Sequence, residues 1–305
     1  MSAASNSVVS SPVVASPVPP VATGVPPRQS YEALRVFARN PSAVFGVVLL
    51  ALILAVALGG PLLLAADPFE IVGAPLDPPG GDLLLGTDYL GQDVLIGMIY
   101  GGRATLLVGV VAAVLSVVIG VTVGALAGYY GGWVDEILMR ITEFFQVLPT
   151  LLFAMVLVTL FTPTLTTIAV AIGVVSWTGT ARLARGEFLR LRRREFVLAE
   201  RVIGAGNSRI IWRVILPNAL APLIVSATLA IGTAILFEAG LSFLGLGDPN
   251  VMSWGLMIGS NRPYILAAWW AVTFPGAAIF LTVLAVSLIG DGLNDALNPN
   301  ARGRT

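Results

Sequence analysis

Cysteine, histidine and lysine are all missing from this chain of 305 residues, and its 17 basic residues are therefore all arginine. Without cysteine there are no disulfides, and without cysteine or histidine there is neither an ordinary zinc site nor a Ser-His or Cys-His nucleophile. Without lysine there is no Walker A phosphate loop and no Ser-Lys dyad. Any ATP hydrolysis must come from another polypeptide, and no residue is assigned a catalytic role. Charge is scarce as well. Only 11% of residues are charged, against about 25% in soluble domains. With 56% hydrophobic residues and a mean hydropathy of +0.89, the composition is that of an integral membrane protein.

What is present divides into uncharged runs and short polar connections. Residues 1–30 are rich in Ser, Val and Pro, and Pro12, Pro17, Pro19, Pro20, Pro26 and Pro27 predict a disordered tail. The basic start of a secretory signal is missing. Residues 40–66 hold no charge and are long enough for a first transmembrane helix. Residues 67–103 then carry six acids (Asp67, Glu70, Asp77, Asp82, Asp88, Asp93) against one arginine, after a segment bearing Arg28, Arg35 and Arg39. The positive-inside rule therefore places the N-terminus in the cytoplasm and this loop outside. Asp88 and Asp93 fall short of the six to eight oxygens that a calcium ion takes, so turn and helix-cap roles are expected and no metal site is assigned.

Residues 104–134 form a second uncharged run, in which Gly120, Gly124 and Gly128 recur on one helical face and permit close packing against a neighbouring helix. Tyr129, Tyr130 and Trp133 mark a membrane interface, with a turn at Gly131-Gly132. Glu143 and Arg182 enclose 38 uncharged residues, too many for one span and right for two, with a break at Thr162-Pro163-Thr164-Leu165-Thr166-Thr167. Residues 214–237 and 263–290 supply spans five and six. Six spans return the C-terminus to the cytoplasm, where Arg302 and Arg304 agree. They also place residues 182–213, with nine arginines against Glu187, Glu195 and Glu200, on the same side.

The long polar interruption at residues 195–217, EFVLAERVIGAGNSRIIWRVILP, predicts two short helices around a hinge. Residues 195–203 favour helix, 204–208 break it, Ser208 caps a second helix to Val214, and Pro217 ends that helix. The pattern resembles the cytoplasmic EAA loop of binding-protein-dependent ABC importer permeases: Glu-Ala-Ala, three residues, Gly, nine residues, then Ile-x-Leu-Pro. Here Leu198-Ala199-Glu200 is followed by Gly204 and then by Val214-Ile215-Leu216-Pro217. The glycine, the interval and the Leu-Pro match, whereas Leu198 replaces the leading glutamate and Glu200 stands third.

Over residues 31–300 the chain resembles one class in particular, the C-type permeases of dipeptide and oligopeptide ABC importers. The stretches that carry this are GTDYLGQDVL (86–95), YGGRATLLVG (100–109), GYYGGWVDEILMR (128–140), EAGLSFLGLG (238–247) with SWG (253–255), FPG (274–276) and GDGLNDALNP (290–299). Gln92 and Glu143 are minor departures from the class.

The resemblance implies an all-α polytopic membrane protein of six transmembrane helices in the type I importer permease fold, with both termini cytoplasmic. Residues 31–100 would hold the first span and external loop, and 101–300 the core with the coupling loop 195–217. It implies a bacterial or archaeal cytoplasmic membrane, a related B-type permease as heterodimeric partner, two cytoplasmic ATPase subunits that bind ATP and magnesium, an external binding protein and a peptide substrate. No cofactor on this chain and no nucleic acid are implied. Coupling to the ATPase would fall to Ala199, Glu200, Gly204, Ile210, Ile211, Trp212, Leu216 and Pro217. Ile210, Ile211 and Trp212 would be apolar anchors, ringed by Arg201, Arg209 and Arg213. The run Arg190, Arg192, Arg193, Arg194 suits topology or anionic lipid.

Two roles stay open for Glu238, near the outer end of span five: lining the path, where it would meet a peptide amino group, or capping the turn that follows. The substrate is open too, since relatives of this class carry nickel, opines or sugars. A self-contained secondary transporter would need acidic residues or helix breaks within spans, and the span interiors hold no acid. An intramembrane hydrolase would need an aspartyl pair that no span contains.

Overall fold

The computed structural model describes residues 29–297, all helices, turns and loops; among the described residues there is no named strand. Of the expected tail at residues 1–30, residues 1–28 lie outside them, as do Arg302 and Arg304, while Gln29 and Ser30 begin a helix. The helices are α1 (Gln29–Arg39), α2 (Pro41–Leu63), α3 (Val94–Tyr130), α4 (Gly132–Val147), α5 (Thr150–Leu160), α6 (Leu165–Ser176), α7 (Thr178–Leu191), α8 (Glu195–Val202), α9 (Asn207–Arg209), α10 (Leu216–Leu241), α11 (Trp254–Asn261) and α12 (Trp270–Leu297). Four helical stretches are long and apolar enough to cross a membrane. Two bent pairs, α4 with α5 at 87° and α6 with α7 at 44°, bring the number of spans to six if each pair is one.

Local sequence accounts for most boundaries. Asn40 accepts hydrogen bonds from the backbone N–H groups of Ser42 and Ala43, and Pro41 starts α2 where its missing N–H costs nothing. Asp93 does the same for α3 through Leu95 and Ile96. That cap starts the second span at Val94, ten residues before the point expected from charge alone, because Arg103 sits exposed on the helix side and does not interrupt it. The sharp corner between α4 and α5 falls at Leu148-Pro149. The residue before proline is driven out of the helical region, and Leu148 has φ −72° and ψ 131°.

The sixth span also moves. Instead of beginning at residue 263 it runs Trp270–Leu297, and the preceding residues form α11 and a 3-10 turn at Arg262–Tyr264. Eight residues of α11 extend only about 12 Å, too short to cross a bilayer. Ser253, whose hydroxyl accepts the Leu256 N–H, is the cap that starts α11.

The central post is α3. Its 37 residues extend about 55 Å, well past a hydrocarbon core of about 30 Å. Its C-terminal part packs on α7, and it also meets α10, α6 and α2. α2 lies at the periphery against α12 and α3, burying only Ala43, Gly46 and Ala57 while Phe45, Val48 and Leu52 face outward. An apolar helix with apolar residues exposed all round is stable where the surrounding solvent is lipid.

The loop between α2 and α3 folds over the end of the bundle. Thr87 accepts the Asp77 N–H, donates to the Ala74 carbonyl and gives its own carbonyl to Trp270 Nε1. Asp88 is buried and accepts the N–H groups of Leu90 and Gln92. Burial pushes its carboxyl above the ordinary aspartate value, against the opposing pull of those N–H donors.

Candidate functional site: the 195–217 connection and the Glu238 node

The polar connection is built from the inside out. α8 ends in a left-handed residue: Gly204 has φ +81°, its N–H reaches Arg201 O, and Ala205 N–H reaches Glu200 O. A side chain at Gly204 would meet no neighbour, so the demand on this position is the backbone angle alone. The second helix starts at Asn207, one residue before the expected Ser208 cap. Pro217 does not end it. Residues Ile210–Ile215 widen into a π turn in which Leu216 N–H bonds Ile211 O, and the chain continues into α10. A proline ring would clash with the carbonyl four residues back in a regular helix, and the wide turn relieves this. Asn218 Nδ2 donates to Val214 O in the same region.

Two of the expected anchors are turned inward. Ile210 is 0% and Ile211 2% exposed, packed with Ile215 among Val197, Phe188, Leu191 and Tyr129. They hold the connection to the chain's own bundle and are not available to a partner; a helix needs one apolar face for its own core, and these two residues occupy it. Trp212 is 39% exposed, and Ala199 and Pro217 are exposed with Leu216 half-buried. Within the connection, the most accessible large apolar side chains are Val202 at 87% and Ile203 at 74%, at the tip of the hinge. Sequence reading passed over them because they lie inside a helical pattern, although a pair of apolar residues directly before the hinge glycine was a usable signal. Glu200 is committed internally, its Oε2 lying 3.6 Å from Arg209 Nε, beyond hydrogen-bond reach but within ion-pair range.

Behind the connection, Gly120, Gly124 and Gly128 face α7. A Cβ on Gly120 would stand 2.7 Å from Thr180 Cβ, on Gly124 2.2 Å from Ala181 O, and on Gly128 2.7 Å from Arg185 O. The neighbour that these glycines admit is a helix of the same chain. Arg185 reaches Asp135 with both Nε and Nη2, at 2.5 and 2.7 Å, tying α7 to α4. Arg192 Nη1 donates to the carbonyls of Gly128 and Tyr129 and so caps α3.

Glu238 lies at the other end of α10 and is fully buried. Its Oε1 accepts the hydroxyls of Ser242 (2.9 Å) and Ser253 (2.8 Å), and its Oε2 that of Thr105 (3.3 Å). Thr105 Oγ1 in turn accepts the Trp254 N–H. The carboxylate therefore joins α3, the end of α10 and the start of α11. Of the two roles left open for Glu238, its bond to Ser242 ties it to the turn that follows α10, and its burial keeps the carboxylate from solvent in this conformation. Of its three hydroxyl partners, Ser242 lies one helical turn on, whereas Thr105 and Ser253 come from segments that local spacing does not connect to it. Among the described residues no cluster of three metal-ligating side chains exists.

Residues 120–303 match the family model described as binding-protein-dependent transport system inner membrane component, and residues 29–79 match the N-terminal TM domain of oligopeptide transport permease C. The dipeptide transport system permease protein DppC of Escherichia coli (strain K12) is 43% identical over 305 residues, covering 97% of this chain and 98% of that protein. Its counterpart in Bacillus subtilis is 42% identical over 284 residues, 90% of this chain and 88% of the relative. The oligopeptide transport system permease protein OppC of Bacillus subtilis is 37% identical, covering 89% and 90%. Among solved structures, a chain of the MetNI methionine ABC transporter in inward facing conformations superposes with a TM-score of 0.56 at 20% identity, covering 66% of this chain and 96% of that one. At that identity the likeness speaks for the fold alone.

Proposed function

This chain belongs to the family of binding-protein-dependent transport system inner membrane components, and from that premise we propose that it forms the translocation path of a dipeptide or oligopeptide importer. The observation that carries the peptide assignment is the nearly end-to-end similarity to permeases named for dipeptides and oligopeptides. The protein resides in the bacterial cytoplasmic membrane. It works with a second, related permease, two ATPase subunits that bind ATP and magnesium, and an external binding protein, while itself carrying no cofactor and no catalytic residue.

In this reading both termini and the arginine-rich segment 182–213 face the cytoplasm, and the acidic loop 67–93 faces outside. The core at 101–300 carries the coupling loop 195–217, whose tip, Val202 and Ile203 with Trp212, enters a cleft on the ATPase. Support comes from the exposed apolar tip standing on a base fixed by Ile210, Ile211 and Ile215. An apolar contact on a rigid base can carry a push from the ATPase into α10, because that base and α10 are consecutive turns of one helical stretch from Asn207 to Leu241.

The experiment is reconstitution of this chain with its partner permease, ATPases and binding protein in proteoliposomes, reading uptake of labelled di- and oligopeptides. ATP-dependent peptide uptake is expected. Uptake driven by an ion gradient in the absence of the ATPase subunits, or nickel uptake with no peptide uptake, overturns the reading.

A further inference from the structure

The end of α3 carrying Tyr129 and Tyr130 opens onto two cavities of contrasting chemistry. The first, about 710 Å³, is lined by Arg192, Arg193 and Arg201 together with Tyr129 and Asn207. No acidic residue lines it, and among the described residues none of the three arginines forms an ion pair. Two are nonetheless held in place by neutral groups. Arg192 Nη1 bonds the Gly128 and Tyr129 carbonyls at 3.0 and 3.2 Å, and the Arg201 guanidinium lies 5.3 Å from the centre of the Tyr129 ring. Tyr129 is itself fixed by the bond between its hydroxyl and Asn207 Oδ1 at 2.7 Å. These are positioned, uncompensated positive charges.

The second cavity, about 700 Å³, runs along α4 and is walled by Leu126, Trp133, Ile137 and Leu138. Trp133 is 73% exposed. The two cavities meet at Tyr130, which lines both, and at Gly131, where a Cβ would stand 2.8 Å from Arg192 Nη1. A fixed cationic pocket thus adjoins an open apolar groove at a level marked by two tyrosines and a tryptophan, the residues that favour the membrane–water boundary.

We propose that these two cavities form one binding site for an anionic phospholipid, its phosphate headgroup among Arg192, Arg193 and Arg201 and an acyl chain along Trp133, Ile137 and Leu138. Charge complementarity selects the headgroup, since guanidinium groups match phosphate oxygens in bidentate geometry. The adjoining groove selects a lipid over a free phosphate or a carboxylate of a soluble partner, because neither of those would use an apolar wall. The bound lipid would brace α8, the first helix of the coupling loop, against the end of α3. The site rests on the proposed function only for that last consequence; lipid binding itself is read on the isolated full chain, so either idea can fail alone.

The test is native mass spectrometry and lipid titration of the purified full chain in nanodiscs, comparing phosphatidylglycerol with phosphatidylcholine. Phosphatidylglycerol is expected to bind preferentially. Each of Arg193→Gln and Arg201→Gln is expected to weaken it roughly fivefold, the contribution of one basic residue at an anionic surface. Ile137→Asn should weaken it through the groove, and Arg194→Gln, beside the pocket in sequence but outside its lining, should leave it unchanged. Arg192 is left intact because it also caps α3, and each variant is checked for wild-type helicity and monodispersity. Equal binding of the two lipids overturns the proposal, as does an Arg194→Gln loss equal to the others, which would indicate diffuse charge. Displacement by millimolar inorganic phosphate without any effect of Ile137→Asn would make it a small-anion site. Loss of the bound lipid on adding the ATPase subunits would assign the pocket to that interface.

Discussion

Adding one methyl group at Gly124 tests the central packing contact most directly. A Cβ there would lie 2.2 Å from the Ala181 carbonyl oxygen, 2.7 Å from Ala184 Cβ and 2.8 Å from Arg185 N. Two of these three atoms are backbone, so no rotamer change makes room. The two helices must part by about 1.2 Å to restore ordinary van der Waals contact. Because Gly120 and Gly128 make the same close approach one turn either side, parting the helices at the middle loosens about three turns. Overpacking costs about 1–3 kcal/mol in general, and the backbone contact places Gly124→Ala near the upper value. At about 2–4 °C per kcal/mol for a chain of this size class, the melting temperature should fall by about 6–12 °C. The control is Gly186→Ala on the exposed side of α7, where a Cβ meets nothing within 4 Å. It should gain about 0.5–1 kcal/mol from the better helix former. Thermal unfolding of the purified chain in one detergent reads both. A Gly124→Ala protein that melts at or above the Gly186→Ala protein would refute the close-packing argument.

Further outcomes separate the core from the contact surface. Ile210→Ala should lower the stability of the isolated chain by about 2–5 kcal/mol. Val202→Asp and Ile203→Asp, at exposed positions, should leave melting unchanged and instead reduce co-purification of the ATPase subunits; unchanged recovery of those subunits counts against the coupling role of the tip. Gly204→Val should cost about 1–2 kcal/mol from the left-handed backbone angle, visible as a lower melting temperature without loss of membrane insertion. Glu238→Ala leaves three buried hydroxyls without their acceptor, worth about 1–3 kcal/mol each at most, whereas Glu238→Gln keeps an acceptor oxygen and should be milder; equal effects would deny the hydroxyl node. For Asp88, whose carboxyl is raised by burial, the folded state binds its proton more tightly than the unfolded state. Its stabilising contribution is thus fullest below the unfolded value and declines as pH rises through the folded one. Asp88→Asn, which retains the acceptor for Leu90 and Gln92, should abolish that slope in pH-dependent melting.

Membrane residence, the helical class and the approximate places of the apolar runs were legible in the sequence, though not the ends of the helices, because lipid rewards long uncharged runs whatever their neighbours do. The glycine repeat on α3 was legible for a related reason, since close backbone approach demands small side chains at helical spacing. The cap role expected of Asp93 is the one it plays, through Leu95 and Ile96, but the charge pattern alone put the start of that span ten residues further on. Charge runs mark where a chain leaves the membrane, and a helix that extends beyond the membrane leaves no mark in them.

Tertiary structure alone decided which face of each short helix turns inward. Ile210, Ile211 and Trp212 are equally apolar in sequence, yet the π turn before Pro217 rotates the first two into the bundle and leaves Trp212 partly outside. Glu238 read as a lone acid beside a span, and only the fold brought Thr105 and Ser253 to it from positions 133 residues before and 15 after. Periodicity determines that a helix has an apolar side. Which neighbour covers that side, and which polar atoms meet within it, depends on contacts between segments far apart in the chain, and these exist only after the helices have packed.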